Sequence, residues 1–134
     1  MNAKEYDEYL KRLADLVWHE LVPKMALFDY FTRHARRLEG DPVDVEPLLW
    51  FFQSGLHYDL TLSLARLFDG KADCSIFDFL NVTEKYYSSL PWKEAFDANK
   101  IAEHRGELGN IASTLERLRK RRNKFFAHYD KKFF

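Results

Sequence analysis

A chain of 134 residues balances 21 Lys and Arg against 21 Asp and Glu, with 46% hydrophobic and 16% aromatic residues and one cysteine. That length supports one core and falls short of two, so residues 1–134 read as a single domain. The lone Cys74 excludes an intramolecular disulfide, and no charged-then-apolar leader opens the chain, so the expected setting is reducing and cytoplasmic.

In the first segment, Tyr6, Tyr9, Leu10, Leu13, Val17 and Leu21 recur at helical spacing, while Lys4, Asp7, Lys11 and Asp15 fall on other faces. An amphipathic helix is expected to about Leu38, kinked or split near Val22 because Pro23 lacks an N–H. Gly40-Asp41-Pro42 marks a turn. A second helix is expected from Pro47 through Phe68, apolar on nearly all sides and therefore central and most buried. His57, Asp59 and Arg66 interrupt it, and their cost at membrane depth argues against a spanning segment. Asp69-Gly70 ends it. Ser75, with Asp78 three residues on, resembles a capping box for a third helix over about Ile76 to Ser89. Leu90-Pro91 closes that helix, Trp92 to Lys100 forms a connector, and Asp97 is placed to cap the last helix.

That last helix has the clearest period: Ile101, Leu108, Leu115, Arg122 and Tyr129 recur every seven residues, interleaved with His104, Ile111, Leu118 and Phe125. No alternating strand pattern, internal repeat or low-complexity run occurs. The expected fold is all-α, an up-and-down bundle of four to five helices.

The balanced charge is sorted along the chain. Residues 117–134 hold Arg117, Arg119, Lys120, Arg121, Arg122, Lys124, Lys131 and Lys132 against Asp130 alone, so this segment carries +7 and the remainder −7. Such a surface suits a polyanion, and arginine forks with a histidine titrating near neutrality suit a phosphodiester. Arg122 lies on the apolar stripe, whereas Arg117, Arg119, Lys120 and Arg121 fall on faces where solvated basic residues are ordinary. Spacing alone carries little weight, since Arg12 and His19 form a comparable arginine–histidine pair on a charged helix face. An arginine on an apolar stripe needs an anionic partner, because an unpaired buried guanidinium costs several kcal/mol. That partner is either a ligand or a carboxylate such as Asp59 or Asp69, with His128 then serving only to cap the helix C-terminus. Arg66 and Asp69, one helical turn apart, read as a structural pair. His19, His34, His57 and His104 are scattered without ligand spacing, so no metal site is expected, and no Gly-rich phosphate loop occurs.

Arg122-Asn123-Lys124-Phe125-Phe126-Ala127-His128, closing the last long helix, resembles the signature of the HEPN superfamily (higher eukaryotes and prokaryotes nucleotide-binding domains). With Tyr129-Asp130 it is similar to the Arg-Asn/Asp-Lys-x-x-Ala-His-x-Asp version of the abortive-infection, phage-defence branch. Leu64-Ala65-Arg66-Leu67-Phe68-Asp69, followed by Ser75 and an apolar helix, also looks like that branch.

The resemblance implies a metal-independent endoribonuclease, without cofactor, acting as a homodimer with both motifs in a shared cleft. It makes His128 the general acid or base, Arg122 the holder of the phosphate oxygens and Asn123 an orienting group, with Arg117, Arg119, Lys120, Arg121 and Lys124 gripping RNA. Six residues apart on an ideal helix point about 120° from each other. Either the helix ends between Arg122 and His128, or each pairs across the dimer. Two other readings stay open: a non-catalytic HEPN-like module binding RNA or a protein such as an antitoxin, and a scaffold whose aromatic residues serve only oligomerisation. The terminal Phe133-Phe134, two rings with little to pack against, reads as the end of a fragment or of a shortened domain whose relatives continue into a further helix.

Overall fold

The computed structural model describes residues 1–40 and 46–132, with side chains through Lys124. The described residues form an all-α bundle with no strand. Helix α1 spans Ala3–Asp15, a π-helical segment Leu16–Leu21, α2 Val22–Ala35, α3 Pro47–Leu67, α4 Ile76–Tyr86 with a 3-10 turn Tyr87–Ser89, α5 Asn99–Asn110 and α6 Ala112–Lys132.

Asn2 opens α1 with a reciprocal cap: its side chain accepts from the Glu5 N–H at 3.0 Å, and its own N–H donates to the Glu5 carboxylate at 2.7 Å. Of the kink or split that Pro23 leads one to expect near Val22, the chain shows no split but an irregular segment ending at Leu21. The chain passes through the π segment, where the Val22 N–H reaches the Val17 carbonyl five residues back. A widened turn absorbs the proline at the second position of α2. The helix then tapers through Arg36 to Leu38, where Leu38 N–H meets the Ala35 carbonyl. Gly40 follows at φ 101°, as a turn needs, while Asp41-Pro42 lies outside the described residues.

Helix α3 keeps its expected bounds but is not buried throughout. Leu60, Thr61, Ser63, Ala65 and Leu67 are buried, whereas Leu48, Trp50, Phe51, Phe52 and Tyr58 are exposed. The core joins Leu13, Leu16 and Leu21 to Leu60 and Leu67, with Val17, Phe28, Leu64, Phe68, Ile76 and Phe79 packed against them. Polar ties fix the same elements. Lys24 Nζ lies 2.8 Å from Asp59 and 3.2 Å from Ser63 Oγ, joining α2 to α3.

Helix α4 starts as the sequence predicts: Ser75 Oγ accepts from the Asp78 N–H at 3.1 Å. The Asp78 carboxylate does not complete the box. It accepts instead from the Tyr9 hydroxyl at 2.8 Å and the Cys74 N–H at 3.1 Å, which fixes Cys74 at φ 60°. Burial, then the Asp78 bond, pushes the Tyr9 phenol far above its usual range, so it remains a donor at any working pH. The Tyr6 hydroxyl pairs with Thr83 Oγ1 at 2.8 Å, completing the clamp between α1 and α4.

The single long last helix read from the heptads is two helices. Gly109 and Asn110 are weak helix formers, and Ile111 leaves the helical region at φ −104°, ψ 11°. Ile111 then accepts from the Thr114 and Leu115 N–H groups at 2.9 and 3.0 Å, restarting the helix as α6. Asp97 Oδ1 accepts from the Asn99 N–H at 3.0 Å one residue before the N-cap of α5, which is Ala98 and makes no side-chain cap bond, so Asp97 closes a turn ahead of the helix and is not the cap expected of it. No helix among the described residues is long and apolar enough to cross a membrane.

Candidate functional site

Arg122 sits about three turns beyond the break at Ile111, on the uninterrupted helix α6. Its stripe neighbours Leu115 and Leu118 are half-buried against α3, and Arg122 itself is half-buried. One terminal nitrogen donates to Asp69 Oδ2 at 2.7 Å, and Nε donates to Asn123 Oδ1 at 3.3 Å. The side chains of the ion pair are 26% and 28% exposed. Of the two carboxylates the sequence offers, Asp69 takes this place and Asp59 belongs to Lys24. Asp69 faces Arg122 rather than Arg66, correcting the expected pair one helical turn apart. Asp69 leaves α3 just beyond its end, where helical spacing to Arg66 no longer holds. The Arg122 guanidinium, joined by the Lys71 N–H at 3.0 Å, holds the Asp69 carboxyl below its usual range. These bonds use two of the five N–H donors of Arg122, leaving the rest of its fork for an anion.

Beside this pair lies a cleft of ≈1060 Å³ between the end of α3, the start of α4, and α5 with α6. Its lining includes apolar Ala65, Phe68, Phe77, Leu108, Leu115 and Leu118, and the cations Lys71, Arg105, Arg119, Lys120 and Arg122 against the acids Asp69 and Glu116. Arg119 and Lys120 approach Glu116 at 2.8 and 3.8 Å. Arg105 donates to Glu84 at 2.7 Å and Asn81 at 2.9 Å, which hold it at the cleft from α4.

The structure therefore brings together Arg122, Asn123, Arg119 and Lys120. Arg117, Arg121 and Lys124 are exposed and do not line the cleft; Arg117 donates to Thr114 Oγ1 at 3.4 Å. His128 is six residues along the same continuous helix, and its side chain lies outside the described residues, as do those of Asp130 and Phe133-Phe134. Since α6 runs to Lys132, the helix does not end between Arg122 and His128, and their backbone positions are about 120° apart around one axis and about 9 Å along it. The arginine–histidine pair near the N-terminus is an exposed surface feature: His19 lies 3.7 Å from Asp15, one turn back.

Sequence reasoning missed Lys71, Arg105 and Phe77. The α4 periodicity could have singled out Phe77, which falls about 100° from the Ile76, Phe79, Leu80 and Thr83 stripe. Lys71 and Arg105 join the site only because of the loop after α3 and the break at Ile111.

The HEPN_AbiU2 family model, described as AbiU2, matches residues 5–134. No curated protein and no solved structure matches the chain.

Proposed function

The chain belongs to the HEPN_AbiU2 family, a HEPN-type abortive-infection domain, and on that premise we propose that it is a metal-independent endoribonuclease of anti-phage or toxin–antitoxin systems. What carries this reading is the placement of Arg122, half-buried at a cleft whose lining holds five cations and two carboxylates. A phosphodiester fits that balance, and RNA brings its own nucleophile in the 2′-OH. The protein then has to orient the groups in line and move two protons.

In this mechanism the 2′-oxygen attacks phosphorus while a general base takes its proton, and the bond from phosphorus to the 5′-oxygen breaks as an acid protonates the leaving oxygen. His128 serves as the base or the acid, a role worth typically ~10²–10⁴-fold. Arg122 places its free N–H groups on the non-bridging oxygens, where charge grows on the phosphorane. Asn123, bonded to Arg122 Nε, orients that fork. The products are a 2′,3′-cyclic phosphate and a 5′-hydroxyl, with no cofactor. Because Arg122 and His128 are turned apart on one unbroken helix, a two-fold homodimer supplies the missing juxtaposition, with Arg122 of one copy serving alongside His128 of the other.

The Arg122–Asp69 pair favours one competing reading: it gives the arginine a structural partner without any ligand, as a non-catalytic RNA- or protein-binding module would need. One experiment separates them. A labelled structured RNA incubated in excess EDTA is cut by wild type to fragments with cyclic-phosphate ends. His128→Ala and Arg122→Ala should each lose about 10²-fold or more. Intact RNA with every variant, from a confirmed dimer, points to the binding module.

A further inference from the structure

Phe77 is on the first turn of α4, where Ile76 and Phe79 pack against the core and Phe77 does not. It is half-buried, lines the cleft, and makes no ring contact among the described residues. An aromatic ring without a ring partner, lining the same cleft as five cations, has the two properties that single-stranded nucleic-acid sites combine, a surface for a base and charge for the backbone. Arg105 is held at the same cleft by Glu84 and Asn81, so part of the cationic wall is fixed before any ligand arrives. An acidic peptide would meet the charges and leave the ring unused.

We propose that this cleft takes one unstacked nucleotide of single-stranded RNA, its base laid on Phe77 and its phosphate towards Arg122, which makes Phe77 a substrate-binding residue. The proposal rests on the ribonuclease reading and adds how substrate is selected: a base already stacked in a duplex has no face to offer, so cleavage falls in loops and single strands. The ≈1060 Å³ volume leaves room for a nucleotide with part of its neighbours.

The test is binding, measured by fluorescence anisotropy in EDTA at fixed salt, of a labelled single-stranded 2′-O-methyl oligonucleotide, which lacks the nucleophile and stays intact. Phe77→Leu keeps apolar volume without a π face and should weaken binding about 5- to 100-fold. Phe77→Tyr should bind as wild type does, and the slope of affinity against salt should stay unchanged in both because no charge is removed. With wild type alone, an abasic version of the oligonucleotide should lose comparable affinity and a matched duplex should compete poorly, so the outcome does not depend on a variant folding. Abasic and intact strands bound equally, or Phe77→Leu bound as tightly as wild type, would overturn the proposal. RNA cleavage with base-independent binding sinks the stacking role and leaves the nuclease standing. Base-dependent binding without cleavage sinks the nuclease and leaves a nucleotide site.

Discussion

The two ends of α3 have similar apolar content and opposite fates. From Leu60 onwards, Leu60, Thr61, Ser63, Ala65 and Leu67 are buried, with the π segment and α6 packed against this end, and just beyond the helix the Asp69 carboxylate is held by Arg122. Towards Pro47 only Leu49 is buried, while Leu48, Trp50, Phe51 and Phe52 face solvent, with Phe51 65% exposed, and the neighbouring Tyr30 on α2 is 64% exposed. Some rings there meet each other, Phe31 of α2 stacked on Phe52 at 6.3 Å and Phe51 edge-on to Phe52 at 6.0 Å. Apolarity therefore made the helix, and the elements lying across it decided which half became core.

Three substitutions test the difference between the two ends. Leu60→Ala removes a core side chain at the buried end, and should cost about 2–5 kcal/mol of stability in urea unfolding. A loss under about 1 kcal/mol would mean that this end is no better packed than the other. Asp69→Asn should cost about 1 kcal/mol near neutral pH, modest because both partners are partly exposed. The Asp69 carboxyl is held below its ordinary value, so its contribution is fully present above the unfolded carboxylate pKa of about 3.9 and disappears as pH falls through the lower folded value. Urea midpoints of wild type and variant should stay apart from pH 7 down to about 5 and converge below about 4. The smallest effect belongs to the exposed end. Phe51→Ser should change the stability of dilute protein by about 0.5 kcal/mol or less. A larger, concentration-dependent loss would show instead that the aromatic end is covered by another molecule in solution.

Several features were legible in the sequence because their causes are local. Ser75 accepts the N–H group that its position at a helix start requires, and Pro47 opens α3 where a residue without an N–H costs nothing. The stripe placed Arg122 among half-buried residues because position around a helix depends on counting alone. Two irregularities are finer than spacing shows: the disturbance expected at Pro23 takes the form of a π segment and not a break, and the helix is interrupted at Ile111, after Gly109-Asn110, within a heptad pattern that continues on both sides. In both cases the apolar period survives the irregularity and masks it.

Spacing, capping and charge act within a few residues, and they were enough to specify an all-α chain, the bounds of its central helix, the basic segment and the stripe position of Arg122. Helix packing alone settled that Asp69 and not Asp59 meets Arg122, that Arg105 and Phe77 join the cleft, and that α3 is mostly buried at one end and mostly exposed at the other. Those outcomes depend on side chains brought together across dozens of residues: Asp69 and Arg122 are 53 positions apart, a separation at which no periodicity specifies a partner.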